Sequence, residues 1–178
     1  MGKCLPASLA VALFLWAASC APASAGPVGD RGVSFEAAGD GPTCLDVGAG
    51  IFNWRNNLEK RSLAGRIELR IGRKIAFVGP AVGLVANNDG FRYGYAGVYS
   101  DIAYGKFVLT PVVATGIYRR GNSIDLGGAL EFRESLEIAY RFTDTWRAGV
   151  SVAHISNANI YRNNPGQQDV LITSAINW

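Results

Sequence analysis

Long runs in which apolar and charged residues alternate constrain this chain more than any other feature. Leu63, Ile67, Leu69 and Ile71 share one parity while Arg66, Glu68 and Arg70 share the other. Between positions 125 and 142, Leu126, Leu130, Phe132, Leu136, Ile138, Tyr140 and Phe142 oppose Asp125, Glu131, Arg133, Glu137 and Arg141. A period of two belongs to β-strands, whose successive side chains point to opposite faces, and no stretch carries the longer period of an amphipathic helix. Turn residues divide the chain into eight segments, at 43–53, 60–72, 74–86, 90–103, 106–119, 125–142, 145–157 and 167–178. Most exceed the length of an ordinary strand, about 5–6 residues, and suit the about 9–11 tilted residues that cross a bilayer.

Alternation alone does not say which face is inside. A soluble barrel turns its apolar face inward, whereas a small membrane barrel turns it to lipid and keeps a polar interior. The start of the chain favours the second arrangement. Lys3, the apolar run from Leu5 to Ala18 and the sequence Ala23-Ser24-Ala25 have the order of a secretory signal peptide with its cleavage site. Residues 1–25 are therefore expected to be removed, leaving 26–178 as one barrel domain. Short turns are expected at Gly72-Arg73, Tyr104-Gly105 and Thr143-Asp144, with longer connections at the opposite end, as in outer-membrane barrels. Both termini then lie in the periplasm, and Trp178 suits a membrane interface. The expected fold is all-β, an eight-stranded antiparallel transmembrane β-barrel integral to the bacterial outer membrane.

Composition narrows the function. Cleavage leaves Cys44 as the sole cysteine, which excludes a disulfide framework and suits a small apolar filler. The net charge of +3 is scattered and suggests no nucleic-acid partner. One histidine in the whole chain argues against a metal centre. No cofactor is expected, because the glycines fall in strands and turns without a strand–loop–helix unit.

That histidine stands where an apolar stripe ends. Trp146, Ala148, Val150 and Val152 form the lipid-facing side of the seventh segment, and the same parity continues into His154 and Ser156. Polar groups facing hydrocarbon without partners are costly. Two residues apart on one strand, a serine and a histidine share a face, as activation of a nucleophile by a neighbouring base requires. The seventh segment runs outward, so the pair reaches the outer leaflet, where polar residues at headgroup level are also ordinary.

The run HISNANIYRNNPG, from His154 to Gly166, resembles the HxSNA…NPG signature of the lipid A 3-O-deacylase (PagL) family. The length, the eight-strand layout, the segment DLGGALEFRESLEIAYRF and the last strand are similar too. The resemblance implies a serine-type hydrolase that removes the ester-linked acyl chain at the 3-position of lipid A, with lipopolysaccharide as substrate. It implies Ser156 as nucleophile, His154 as general base, and Asn157 and Asn164 as candidates for steadying the oxyanion. It also exposes a departure. The family carries a glutamate two residues after NPG, whereas this chain reads Gln167-Gln168-Asp169. Gln168 shares the parity of Val170, Ile172, Ile176 and Trp178 and should take the glutamate's place, while Asp169 could do so only if a bulge shifted the register. An amide can accept a hydrogen bond from the histidine but cannot neutralise an imidazolium, so a weakened enzyme is expected. The competing expectation is a structural or binding barrel of the same family without catalysis. The sequence leaves open whether two barrels pair as a homodimer.

Overall fold

A computed structural model describes residues 33–35, 41–55 and 61–178. The expected signal peptide, 1–25, lies outside the described residues. Among the described residues ten strands follow in order: β1 (Val33–Phe35), β2 (Cys44–Phe52), β3 (Ser62–Arg70), β4 (Gly79–Asn87), β5 (Arg92–Tyr99), β6 (Ile102–Tyr104), β7 (Phe107–Arg119), β8 (Leu130–Arg141), β9 (Trp146–Ser156) and β10 (Gln167–Asn177). Each pairing is antiparallel, and β7 with β8 closes the sheet. Strands β5 and β6 pair with the same partner, β7, in one unbroken register, so the barrel is eight-stranded.

The interruption between β5 and β6 has a chemical cause. Ser100 lies opposite Pro111, donating its N–H to the proline carbonyl at 3.2 Å, but proline has no N–H to return. Strand β4 reaches only to the level of Tyr99, and the short β1 pairs with β6 beyond it. Two segment boundaries differ from the expected ones. Residues 74–78 form a tight turn closed by an Ile75–Val78 bridge instead of opening a strand, with Ala76 at φ 55°. Residues 125–129 belong to a loop, and Leu126 is fully buried rather than lipid-facing. Gly127, at φ +98°, breaks the alternation there. A side chain at Gly127 would meet the Asn163 carbonyl, and one at Gly128 would meet the Tyr161 ring. The glycine pair thus lets the loop 157–166 pack on the loop 120–129.

The barrel is inverted relative to a soluble protein. Its wall exposes Leu63, Ile67, Ile117, Ile138, Ile172 and Ile176, while its interior is ionic. Buried Arg66 meets Asp46 and Glu137, Arg70 meets Glu68 and Glu137, Arg133 meets Asp169, and Arg147 meets Asp101. Buried charges persist only when paired, and here each guanidinium has its carboxylate. Cys44 is buried among these groups, 3.9 Å from Arg147, rather than in an apolar setting. Toward the outer end the ions give way to an apolar plug, with Phe52 tilted against Phe91 at 4.6 Å and Phe91 against Tyr118 at 5.5 Å. Leu126, Ile155 and Leu171 complete it.

At the other end a partial aromatic girdle crosses the wall from β7 to β9. Phe107, Tyr140, Phe142 and Trp146 contact one another in sequence at 5.3, 5.0 and 4.6 Å. Such girdles mark a membrane interface. Ten residues separate Trp146 from Ser156, and at about 3.4 Å per residue with a tilt of about 40° they climb ~26 Å. The apolar band of an outer-membrane barrel is about 25 Å tall. Ser156 therefore stands at the band's outer edge.

Candidate active site

The site is a lattice on the outer wall of β8, β9 and β10. His154 on β9 is in register with Glu134 on β8 and with Gln168 on β10. One step outward, Ser156 is in register with Phe132; one step inward, Val152 lies between Leu136 and Val170. A polar row thus crosses three strands above an apolar one. Trp54, whose N–H bonds to the Gln168 carbonyl at 3.3 Å, extends the row sideways. Together Trp54, Glu134, His154 and Gln168 rim a shallow open groove of about 300 Å³, floored by Leu136 and Val152. The groove opens toward lipid. The lumen behind it is filled by the plug.

Gln168 flanks His154 as parity places it. Its side-chain nitrogen lies 3.1 Å from Nδ1 of the ring, while its buried Oε1 has no partner. Oxygen and nitrogen of an amide are assigned from the hydrogen-bond network. Rotating the amide by half a turn lets Oε1 accept from Nδ1–H and leaves Nε2 unprotonated, the tautomer a general base needs. No bulge follows Gly166: Gln167, Gln168 and Asp169 pair consecutively with Ile155, His154 and Ala153. Asp169 therefore faces the interior, where Arg133 grips it at 2.6 and 3.2 Å. It is fully buried and does not reach the histidine's face.

Gly166 explains the third residue of NPG. It adopts φ +63°, and a Cβ there would stand 2.7 Å from His154 Cε1 and 3.4 Å from Nε2. The ring rests against bare backbone. Ser156 shares the histidine's face but is 7% exposed, and no Ser156–His154 hydrogen bond is formed. Catalytic hydrogen bonds often tighten only when substrate is bound.

The two asparagines do different work. Asn157 is buried and saturated, since its Nδ2 donates to the carbonyls of Leu126 at 2.7 Å and Asn163 at 2.8 Å, and its Oδ1 accepts from Asn159 N–H at 3.0 Å. Its side chain ties the two outer loops together and has no donor left. A turn follows, with Ala158 and Asn159 at φ 52° and 64° and the Ile160 N–H returning to the Asn157 carbonyl at 3.0 Å. Asn164 accepts from the Asn157 N–H at 3.1 Å and donates one Nδ2 hydrogen to Asn159 at 3.1 Å. An amide nitrogen carries two donors, so Asn164 keeps one.

Glu134 is the residue sequence reasoning passed over. It interrupts the stripe Leu130, Phe132, Leu136, Ile138 at the same parity, and that interruption was the available signal. Among the described residues no group of three or more His, Cys, Asp or Glu is placed to hold a metal ion.

Comparison with known proteins gives a concordant result. The profile of the family described as lipid A 3-O-deacylase (PagL) matches residues 52–168, well over half of the chain. No curated protein matches significantly. Among solved structures, one reported as "Crystal structure of the outer membrane enzyme PagL" superposes with a TM-score of 0.55 at 12% identity, covering 75% of this chain and 98% of that one. A designed transmembrane β-barrel gives 0.52 at 15% identity, covering 80% and 99%. Neisserial surface protein A gives 0.52 at 13%, covering 83% and 99%. At such identities these structures speak for the fold alone.

Proposed function

We propose, on the premise that this chain belongs to the lipid A 3-O-deacylase (PagL) family and is an integral outer-membrane barrel, that it hydrolyses the 3-O-linked acyl ester of lipid A. The observation that carries the reading is the position of His154 and Ser156 on the lipid-facing wall, at the outer edge of the apolar band, beside a groove with an apolar floor. An acyl chain lying along Leu136 and Val152 brings its ester to the level of the polar row. A site on the wall meets a lipid without that lipid leaving the membrane.

In this reading Ser156 Oγ attacks the ester carbonyl carbon while His154 takes the hydroxyl proton. The tetrahedral oxyanion needs donors aimed at it, and Asn164, with one free amide hydrogen, suits that role better than saturated Asn157. Collapse of the intermediate expels the sugar oxygen, which receives the proton from His154 and leaves an acyl-serine. Water then attacks with His154 again as base, releasing the fatty acid. Gln168 holds the ring through Nδ1 but contributes no charge, and in the chymotrypsin-type triad replacing the acid by its amide lowers kcat by about 10⁴. A rate below that of glutamate-bearing relatives is expected.

The missing glutamate also favours a second reading, a barrel that kept the fold and lost the chemistry. Refolded protein incubated with lipopolysaccharide separates the two. Mass spectrometry should find loss of one ester-linked 3-hydroxyacyl chain with the wild type and none with Ser156→Ala. Intact lipid with both proteins, while circular dichroism shows folded barrels, would establish the non-catalytic reading.

A further inference from the structure

We propose that Glu134 supplies the negative charge that position 168 lacks, acting on His154 from the opposite flank as a positioning residue. The proposal rests on the hydrolase reading and deepens it.

Glu134 sits on the wall in an almost wholly apolar neighbourhood. Its register partner across β7 is Val113, and its register partner across β9 is His154. Along β8 the residues of the same parity are Phe132 and Leu136. Of these four neighbours three are apolar and one is the histidine. A half-buried carboxylate inside an apolar stripe, ~5 Å below the level of Ser156 by the same strand rise and tilt, has no structural reason to be there. A partner that becomes cationic gives it one.

Cross-strand partners hold their Cβ atoms about 4.5–5.5 Å apart, which brings a glutamate carboxylate within Coulombic range of the imidazole. The ring's own pose assigns the type of contact. Nδ1 faces Gln168 of β10 and Cε1 lies against Gly166, the residue just before that strand, so Glu134 meets the ring from the β8 side and acts through space. Gln168 fixes the ring and Glu134 balances its charge, two tasks that a glutamate at 168 would perform together.

The Ser156 proton passes to His154 as the ester is attacked, goes to the departing sugar oxygen, and is replaced by one from the hydrolytic water that later returns to Ser156. Glu134 takes part in none of these transfers. It stabilises the two moments at which His154 is an imidazolium, and these occur next to lipid, where the effective dielectric is low and a fixed charge counts for more.

The test moves the charge from one flank to the other. Glu134→Gln should lower kcat about tenfold or more with KM unchanged, and Gln168→Glu introduced into that variant should restore it. In the wild-type background Gln168→Glu should add less, because a carboxylate is already present. A wild-type rate in Glu134→Gln, or a loss that Gln168→Glu does not repair, would overturn the proposal. A second readout needs no turnover. His154 is the only histidine in the chain, so its imidazole NMR signals in micelles are unambiguous. An opposite charge at this distance shifts a titration by about one unit or more, so the midpoint should fall in Glu134→Gln and return in the double variant. Coincident curves would refute the coupling. Absence of acyl release from every variant, with the titration still displaced, would sink the hydrolase reading and leave the Glu134–His154 coupling standing.

Discussion

Replacing Gly166 by alanine tests whether the outer loop positions the histidine. The added Cβ would lie 2.7 Å from His154 Cε1, against 3.4 Å or more in ordinary contact. The ring must therefore retreat by 0.7 Å or more, away from Gln168 or toward β8. Misplacement of a reacting group by about 1 Å can cost 10²-fold in rate, or about 2.7 kcal/mol of barrier. The backbone adds its own term, since an L-residue at φ +63° costs about 1–2 kcal/mol. These contributions separate with a control. Gly90 also has a positive φ, +85°, but a Cβ there meets nothing closer than 3.6 Å, so Gly90→Ala carries the backbone strain without the clash. Urea titration of refolded barrels should show similar stability losses for both variants. Acyl release from lipopolysaccharide, followed by mass spectrometry, should fall about 10²-fold for Gly166→Ala only. Equal rates for the two variants would refute the reasoning.

Other predictions follow from the wall, the lumen and the loops. Asp169→Asn leaves Arg133 buried without its carboxylate and should destabilise the barrel by about 3–5 kcal/mol, seen as an earlier urea midpoint; Gln168→Asn should not. Ile172, 74% exposed, faces the middle of the apolar band. Ile172→Arg should cost about 2–4 kcal/mol in lipid vesicles, whereas an exposed position of a soluble barrel would tolerate it. Asn157→Ala strands the buried carbonyl of Leu126, at about 1–3 kcal/mol for a buried group left unpaired, and releases the Asn163 carbonyl. Limited proteolysis should then cut within 157–166 while the strands stay protected.

Much of this architecture was legible as parity. Because a strand's side chains alternate strictly, counting from Val170 and Ile172 was enough to put Gln168 on the wall and Asp169 inside, and the unbroken register from Gln167 to Asp169 agrees with the count. Parity failed where the backbone leaves the strand. Leu126 matched the apolar stripe by number alone, but Gly127 at φ +98° stands between it and β8. Pro111 hid the interruption opposite Ser100, since its effect falls on another strand. Local sequence could not show that Asn157 saturates its bonds by tying down the loop containing Leu126, 31 residues earlier. Glu134 was overlooked for a different reason. Reading a stripe as apolar discounts the one member that is not, and only cross-strand register discloses that it sits beside His154.

The central claim is that a serine on the lipid-facing wall is made nucleophilic by the neighbouring histidine. The most direct measurement is the intact mass of the refolded barrel after exposure to a long-chain fluorophosphonate. The account predicts one adduct, mapped to Ser156 and absent from His154→Ala. A folded barrel that takes no adduct, or takes it at another serine, would contradict it.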